Sequence, residues 1–280
     1  MIANKNSIFA LAFKMKNHHI HLFFILFLCF QSQTYGQINE KKRPKGQLYF
    51  SWGYNKDWFS KSNIHFKSVG NDDYDFTIND VKAHDRPEFD RVFEWDISIP
   101  QFIYRLGYTF AKRPDIGFEI SFDHAKYILT QNQVVHVYGK IHENFVDKDT
   151  ILSRNFIRFE HTNGANFLML SFIKKNRLLF NATGTRELFS LIKPGAGIVI
   201  PQSQVALFGR DQNNKYHIAG YVFGVDLELR YEYKKHFLIE TGFKGVFANY
   251  LDVLSVGDAK ANHSFFCLEY LVAIGYQLAL

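Results

Sequence analysis

The stretch His217–Tyr233, HIAGYVFGVDLELRYEY, decides the fold that we predict. Every second residue from Ala219 to Tyr233 is apolar or aromatic, and between them stand two glycines and four charged residues, Gly220, Gly224, Asp226, Glu228, Arg230 and Glu232. Because successive side chains of a β-strand point to opposite faces, this segment has one apolar face and one charged face. A strand that faces lipid on one side and a polar interior on the other has this pattern.

The same alternation recurs along the chain, in the segments Gln47–Tyr54, 102–111, Ile116–Phe122, Phe237–Phe247 and Phe266–Leu280. Aromatic residues make up 17% of the sequence, although charged residues make up 21%. The final segment, which ends in an apolar residue, resembles the terminal signal that outer-membrane barrels present to their assembly machinery, with Leu280 in place of the usual Phe. These patterns predict an all-β protein, an antiparallel up-and-down transmembrane β-barrel located in the bacterial outer membrane.

Turn lengths suggest the number of strands. Barrels of this class have short periplasmic turns and long external loops, and Lys112–Asp115 and Lys234–Lys235 are short turns. We predict about eight strands, at 46–56, 101–112, 115–129, 153–174, 190–202, 216–233, 236–250 and 262–279. The predicted external loops are 57–100, 131–152, 203–215 and 251–261, with an irregular inner connection at 175–189. Ten strands, with the first loop contributing a pair, is the alternative.

The N-terminus indicates export. Basic residues precede an apolar run at Leu22–Phe30, and small residues follow at Thr34–Gly36. This run is shorter than the roughly 20 residues of a transmembrane helix, so we predict a signal peptide over 1–36, with Met15 as an alternative start. A periplasmic lead-in then covers 37–45 and the barrel covers 46–280.

Composition argues against several other classes of function. Only Cys267 lies in the predicted mature chain, so no internal disulfide forms, and we predict no clustered Cys/His metal site and no cofactor. No basic nucleic-acid-binding motif appears. The expected partners are outer-membrane lipids, lipopolysaccharide and the barrel assembly machinery, and the sequence indicates no nucleic acid and no particular protein partner.

An eight-stranded barrel has an interior that side chains can fill. Charged residues at the alternate strand positions that point into the barrel, which we call positions of inward parity, are therefore expected to form a lumen charge network. They are Arg105, Glu119, Asp123, Asp226, Glu228, Arg230, Glu240, Lys244 and Glu269. One interpretation is an ion-pair network that holds the barrel shut, and the other is a path for protons or ions.

A polar cluster, Phe159–Asn166, interrupts an otherwise apolar predicted strand. We predict a β-bulge at Gly164 that turns Glu160 toward the lumen and His161 outward. His124 on the neighbouring strand also has outward parity. The two histidines are either interfacial anchors near the lipid headgroups or part of a catalytic site at the membrane surface, composed of His161, Glu160 and His124.

The chain resembles small eight-stranded outer-membrane barrels and, in the segment His161–Gly164, the lipid A 3-O-deacylases among them. Those enzymes carry a His-x-Ser pair followed by Asn, with a Glu that orients the His. Here Asn163 stands where the nucleophilic Ser would be, and Thr162 has the opposite parity to His161. The resemblance implies a barrel, and it implies a lipid-ester hydrolase only if another residue supplies the nucleophile.

We therefore expect a non-enzymatic outer-membrane barrel that contributes envelope structure or binds through its external loops. One alternative is a lipid A deacylase-like hydrolase that uses His161 and Glu160. A second alternative is a narrow channel.

Overall fold

A computed structural model describes residues 45–68, 72–95 and 99–280. The predicted signal peptide and nearly all of the lead-in lie outside the described residues and stay predictions. The strands are β1 Gln47–Phe59, β2 Ser62–Ser68, β3 Tyr74–Val81, β4 Ala83–His84, β5 Phe102–Phe110, β6 Arg113–Asp123, β7 Tyr127–Leu129, β8 Val134–Ile141, β9 Asn144–Ile151, β10 Ile157–His161, β11 Phe167–Phe180, β12 Arg186–Val199, β13 Gln204–Leu207, β14 Arg210–Asn213, β15 Gly220–Tyr233, β16 Phe237–Leu254 and β17 Lys260–Ala279. A short 3-10 helix covers Phe89–Glu94.

Eight of these strands form a closed ring, in the order β1, β5, β6, β11, β12, β15, β16 and β17. Closure comes from the antiparallel pairing of β1 with β17, which runs from Gln47 opposite Ala279 to Phe59 opposite Cys267. Ring neighbours follow chain order and are antiparallel. The predicted eight-stranded, up-and-down barrel is confirmed, and the ten-strand alternative is wrong because the extra pair, β2 and β3, lies outside the ring.

Alternate residues of each ring strand are buried and exposed, as the period of a β-strand requires. On β17, for example, Glu269 and Leu271 are buried, whereas Leu268, Tyr270 and Val272 are exposed. The exposed positions form an apolar band around the ring that includes Phe50, Leu106, Phe118, Ile120, Leu170, Phe223, Val225, Ile239, Phe243, Leu268 and Ile274. A continuous apolar band of this kind suits contact with lipid.

No helix in the described part of the chain is long and apolar enough to cross a membrane.

The two ends of the ring differ in the length of their connections. At one end, β5 and β6, β11 and β12, and β15 and β16 are joined by turns of two to five residues, at 111–112, 181–185 and 234–236. Both the start of β1 and the end of β17 lie at this end. The long connections are at the other end, and their strands β2–β4, β7–β10, β13 and β14 form what we call the head.

The head is a structured β-domain rather than a set of loops. β2, β3, β8 and β9 continue the barrel sheet from the outer part of β17, and a second sheet has the order β14, β13, β10, β7 and β4. The sheets pack on each other through aromatic contacts, such as Phe66 with Phe159, whose ring centroids are 5.7 Å apart, and Phe76 with Phe208, at 6.0 Å. One buried apolar cluster extends through both sheets and down to the mouth of the barrel.

The predicted irregular connection at 175–189 is wrong, because β11 and β12 continue through it. A cluster of basic residues there interrupts the alternation of apolar and polar residues, but those side chains are paired with carboxylates of other strands. Lys175 Nζ lies 2.7 Å from Glu232 Oε1, and Arg177 Nη1 lies 3.1 Å from Glu187 Oε1. The actual turn is 181–185, where the Asn181 side-chain carbonyl accepts the backbone N–H of Thr185 at 2.8 Å.

The predicted strand 153–174 is two separate elements. Its first part is β10, which lies in the second sheet between β7 and β13, and its second part begins β11 in the ring. The residue expected to be a bulge, Gly164, lies in the connection between them at a φ of +119°. The predicted strand 115–129 is divided in the same way into β6 and β7.

Candidate functional site

The barrel interior contains all nine residues expected in the lumen, and each is at most 1% exposed. Arg105 Nη1 lies 3.2 Å from both Glu119 Oε1 and Asp226 Oδ2. Lys193 Nζ lies 2.9 Å from Glu119 Oε2 and 2.7 Å from Glu228 Oε2. Charges from β5, β6, β12 and β15 are thereby joined across the interior.

A second group of lumen contacts lies around Arg230. Its guanidinium donates from Nε to Glu240 Oε1 at 2.8 Å and stacks over the Tyr49 ring at 3.9 Å. Ser51 Oγ donates to the other oxygen of Glu240 at 2.7 Å. On the head side of this group, Lys244 makes a short ion pair with Asp123. Most of the charged side chains of the interior are therefore paired with one another.

Four further charged residues are buried in the lumen, Asp57, Lys175, Lys193 and Glu232. The alternation of His217–Tyr233 places Glu232 on the charged face, whereas sequence reasoning missed the other three. Lys193 points to the same face of β12 as the buried Leu191. Continuing the alternation of the predicted strand from Pro194 back toward Leu191 would therefore place Lys193 inside the barrel. With these additions, eight buried carboxylates face five buried cations. They are Asp57, Glu119, Asp123, Asp226, Glu228, Glu232, Glu240 and Glu269 against Arg105, Lys175, Lys193, Arg230 and Lys244.

His161 does not face outward as predicted but is fully buried in the core of the head. The parity argument failed because β10 is a strand of the head and not of the ring. The Nε2 atom of His161 lies 3.1 Å from His263 Nε2, and its Nδ1 atom lies 2.9 Å from Ser203 Oγ. Tyr250 stacks on both imidazoles, with ring centroids 5.1 and 4.7 Å away. Burial lowers the pKa of His161 well below its usual value and that of His263 to about 3, so both are neutral near pH 7.

The other two predicted catalytic residues do not join His161. Glu160 is half-buried and is paired along the second sheet with Ile128 and Gln204, so the expected lumen position of Glu160 is wrong. His124 is also largely buried rather than outward, stacked on Phe102 with ring centroids 4.7 Å apart. Its Nδ1 atom lies 2.9 Å from Asn166 Oδ1.

A serine that sequence reasoning missed, Ser203, is hydrogen-bonded to His161, and the two form a hydroxyl–imidazole pair of the kind that a nucleophile and its base form. Ser203 is 1% exposed and His161 is fully buried, so a substrate has no route to the hydroxyl in this conformation. Within the described residues, neither His161 nor His263 has a carboxylate hydrogen-bond partner to orient it. This arrangement is suited to packing rather than to acyl transfer, which needs an accessible nucleophile and an oriented base.

A closed ring of eight antiparallel strands, with an apolar outer band and a charged interior, defines a small outer-membrane β-barrel, and the spanning part of the chain lies in the bacterial outer membrane. The end with short turns and both strand termini is then periplasmic, and the head is extracellular.

Solved structures similar to this chain include the attachment invasion locus protein Ail of Yersinia pestis, with a TM-score of 0.32, 13% identity and coverage of 84% of this chain and 99% of that chain. The outer membrane protein OprG from Pseudomonas aeruginosa has a TM-score of 0.36 and 9% identity, over 85% of this chain and 98% of that chain. The outer membrane protease OmpT from Escherichia coli has a TM-score of 0.32 and 8% identity, over 87% and 99%. No family model and no curated protein matches the sequence.

Proposed function

We propose that this chain is a non-enzymatic binding protein of the outer membrane, and that the head is its binding part. The observation that carries the proposal is the head itself, in which the strands β2–β4, β7–β10 and β13 contribute to one buried apolar core. A core of this size fixes the outward-facing residues in place. Rigid presentation of a surface reduces the ordering cost of binding a partner.

The binding surface that we assign is the outer face of the β8–β9 hairpin. Four apolar side chains there are more than half exposed, and their register puts them on one face: Val134, Tyr138, Phe145 and Ile151. The Tyr138 and Phe145 rings are in edge contact, with centroids 5.3 Å apart. This aromatic pair supplies the kind of anchor that protein interfaces use.

The same hairpin ends the sheet, because β9 is the last strand in the sheet order. No described strand pairs with the outer edge of β9, so its backbone N–H and C=O groups there are available. An extended peptide can add to such an edge through backbone hydrogen bonds while its side chains contact the adjacent face. The partner class that we propose is therefore a polypeptide segment that binds in an extended conformation.

The proposal can be tested with the folded protein in nanodiscs and a displayed library of random peptides as the probe. We expect the wild type to enrich peptides that the double variant Tyr138→Ser/Phe145→Ser does not enrich. The control variant is Ile218→Ser, which removes an exposed apolar side chain in the connection between β14 and β15 and should leave enrichment unchanged. Equal enrichment by wild type and double variant would refute the assignment.

A hydrolase is the second candidate, favoured by the 2.9 Å contact between Ser203 and His161. It would require the head to open, because both residues are buried. The test is the lipid A profile of cells that express the wild type, Ser203→Ala or His161→Ala. We expect the three profiles to be identical, and an acyl chain lost in wild-type cells but retained with both variants would establish the hydrolase.

A further inference from the structure

Three potential metal ligands meet at the outer mouth of the barrel interior. Asp57 of β1, Cys267 and Glu269 of β17 are all buried, and one ligand atom from each lies within 4.8 Å of the others. Asp57 is directly opposite Glu269 in the pairing of β1 with β17. Cys267 is the neighbouring inward residue and belongs to the apolar core that continues into the head.

The Glu269 carboxylate has no protein partner in the described structure. It is fully buried, and neither of its oxygens takes part in a hydrogen bond. Burial of an unpaired carboxylate is costly, and a second carboxylate directly opposite adds repulsion. Two acidic groups and a thiol thus share a buried space in which neither carboxylate has an ion-pair partner among the described residues.

The nearby cations are bound elsewhere. Lys244 makes its ion pair with Asp123, and Arg105 lies 3.2 Å from Glu119 and Asp226. Within the described residues, no lysine, arginine or histidine lies within ion-pair distance of Asp57 or Glu269. The surplus of buried carboxylates over buried cations is therefore concentrated at this point of the interior.

We propose that Asp57, Cys267 and Glu269 bind a divalent transition-metal ion, with Zn²⁺ as the best match. Zinc accepts thiolate and carboxylate ligands together, in a tetrahedron whose ligand atoms lie about 2.0–2.3 Å from the ion and so about 3.5 Å from each other. The observed spacing needs only a small inward movement to reach this geometry. The ion neutralises the facing carboxylates and joins the first and last strands of the ring.

Neighbouring polar groups would orient the Asp57 ligand. The Asp57 carboxylate accepts a hydrogen bond from Asn55 Nδ2 at 3.1 Å and another from Gln101 Nε2 at 3.1 Å. Asp85, on the head side, accepts the backbone N–H of Asp57 at 2.9 Å. The Asn55 side-chain carbonyl oxygen, at the other end of the same amide, is buried and unpartnered. Sequence reasoning predicted no metal site because these residues lie at opposite ends of the chain.

Metal content tests the proposal directly. The folded full chain is treated with a chelator in detergent, equilibrated with Zn²⁺ alone and dialysed, and its zinc is measured by mass spectrometry. We expect about one ion per wild-type chain. Glu269→Gln and Cys267→Ala should each weaken retention about 100-fold or more, given that loss of an orienting group alone costs about 10- to 100-fold. The matched control is Glu228→Gln, another buried lumen acid, which should retain the ion.

A second measurement distinguishes loss of the site from loss of the fold. Without metal, Glu269→Gln removes a repulsive pair, so this variant should unfold at the same temperature as the wild type or higher. With Zn²⁺, the wild type should become the more stable of the two. Co²⁺ in place of Zn²⁺ should give a near-ultraviolet thiolate absorption band in the wild type that is absent in Cys267→Ala.

Two results would overturn the proposal. One is a wild-type chain that retains no zinc after dialysis. The other is equal retention, or an equal thermal shift with Zn²⁺, in the wild type and in Glu269→Gln or Cys267→Ala. Neither result bears on the head, so the proposed peptide-binding function is tested separately.

Discussion

Arg230 illustrates what a single lumen side chain contributes. It is fully buried, it donates to Glu240 and it stacks over Tyr49. The net stabilisation from such a pair is small, because both charges lose their hydration when they are buried. Removing one member costs more, because the remaining buried charge then lacks its main ion-pair partner. The lumen residues therefore matter most when one of them is changed alone.

Replacing Arg230 with Met should lower the free energy of unfolding by about 3–5 kcal/mol, since Glu240 then lacks its main partner. Unfolding in urea from lipid vesicles, followed by circular dichroism, measures this loss. Lys260→Met is the control, because Lys260 and Asp252 form an exposed ion pair at 2.8 Å. Such pairs contribute about 1 kcal/mol or less. Equal losses in the two variants would contradict a closely packed charged interior.

The buried pair His161 and His263 should make the head less stable in acid. Their pKa values are lowered by burial, to about 3 for His263, whereas an unfolded histidine has a pKa of about 6.5. Above a pH of about 6.5 both histidines are neutral in the folded and in the unfolded state, so they do not lower the stability of the head. As the pH falls below about 6.5, the unfolded state binds protons that the folded state cannot, and stability drops by up to about 1.4 kcal/mol per pH unit for each histidine.

Protease resistance of the head, measured between about pH 4 and pH 8, tests this dependence. Resistance should fall on acidification in the wild type, and the double variant His161→Phe/His263→Phe should show a weaker dependence. An identical pH profile in the two proteins would show that these histidines are not the titrating groups.

At the scale of residues, alternation predicted the inward position of the nine lumen charges, because parity is a local property of a strand. It misplaced His161 and Glu160, because parity tells which residues share a face but not which sheet a strand joins. The polar interruption at Phe159–Asn166 falls where β10 ends, but it does not indicate that β10 pairs within the head rather than within the ring. The juxtaposition of Asp57 with Glu269 was also missed, since it depends on how the ring closes.

Elements of the head pack on each other closely enough for single glycines to be required. Gly139 on β8 has a φ of +131°, and a Cβ there would lie 2.4 Å from the Asp75 carbonyl oxygen and 2.7 Å from Phe76 Cα on β3.

The ring strands were predicted well because each carries its own apolar face and the short turns are at one end. The head strands were not predicted as a domain, because their pairings join segments that are far apart in the sequence.

Gly139→Ala should therefore destabilise the head by about 1–3 kcal/mol through strain at this φ, together with the clash. Limited proteolysis should cut the β8–β9 hairpin sooner, while the ring keeps its heat-dependent gel mobility. The matched control is Gly245→Ala in β16, where a Cβ meets nothing within 4 Å. If Gly139→Ala leaves the rate of cleavage unchanged, the close approach of β3 and β8 is wrong.

The whole molecule combines a barrel that has a charged interior with an extracellular β-domain that continues from its sheet. β17 links the two parts, since its first residues pair with β2 in the head and its later residues pair with β1 in the ring. The outer surface of the ring is apolar and aromatic around its circumference, and its interior is charged. A water-soluble protein has its apolar residues inside and its charged residues outside, and the opposite arrangement here is the central claim about the molecule.

Fluorescence of Trp52 tests that claim most directly. Trp52 lies on β1 with Tyr104 and Ile274 as its cross-strand neighbours, both on the exposed apolar band. The chain has three tryptophans, so the double variant Trp58→Phe/Trp95→Phe leaves Trp52 alone. In reconstituted vesicles, lipids brominated on their acyl chains should quench Trp52 strongly, and iodide in the water should not. Quenching by iodide with no effect of brominated lipid would contradict a lipid-facing barrel.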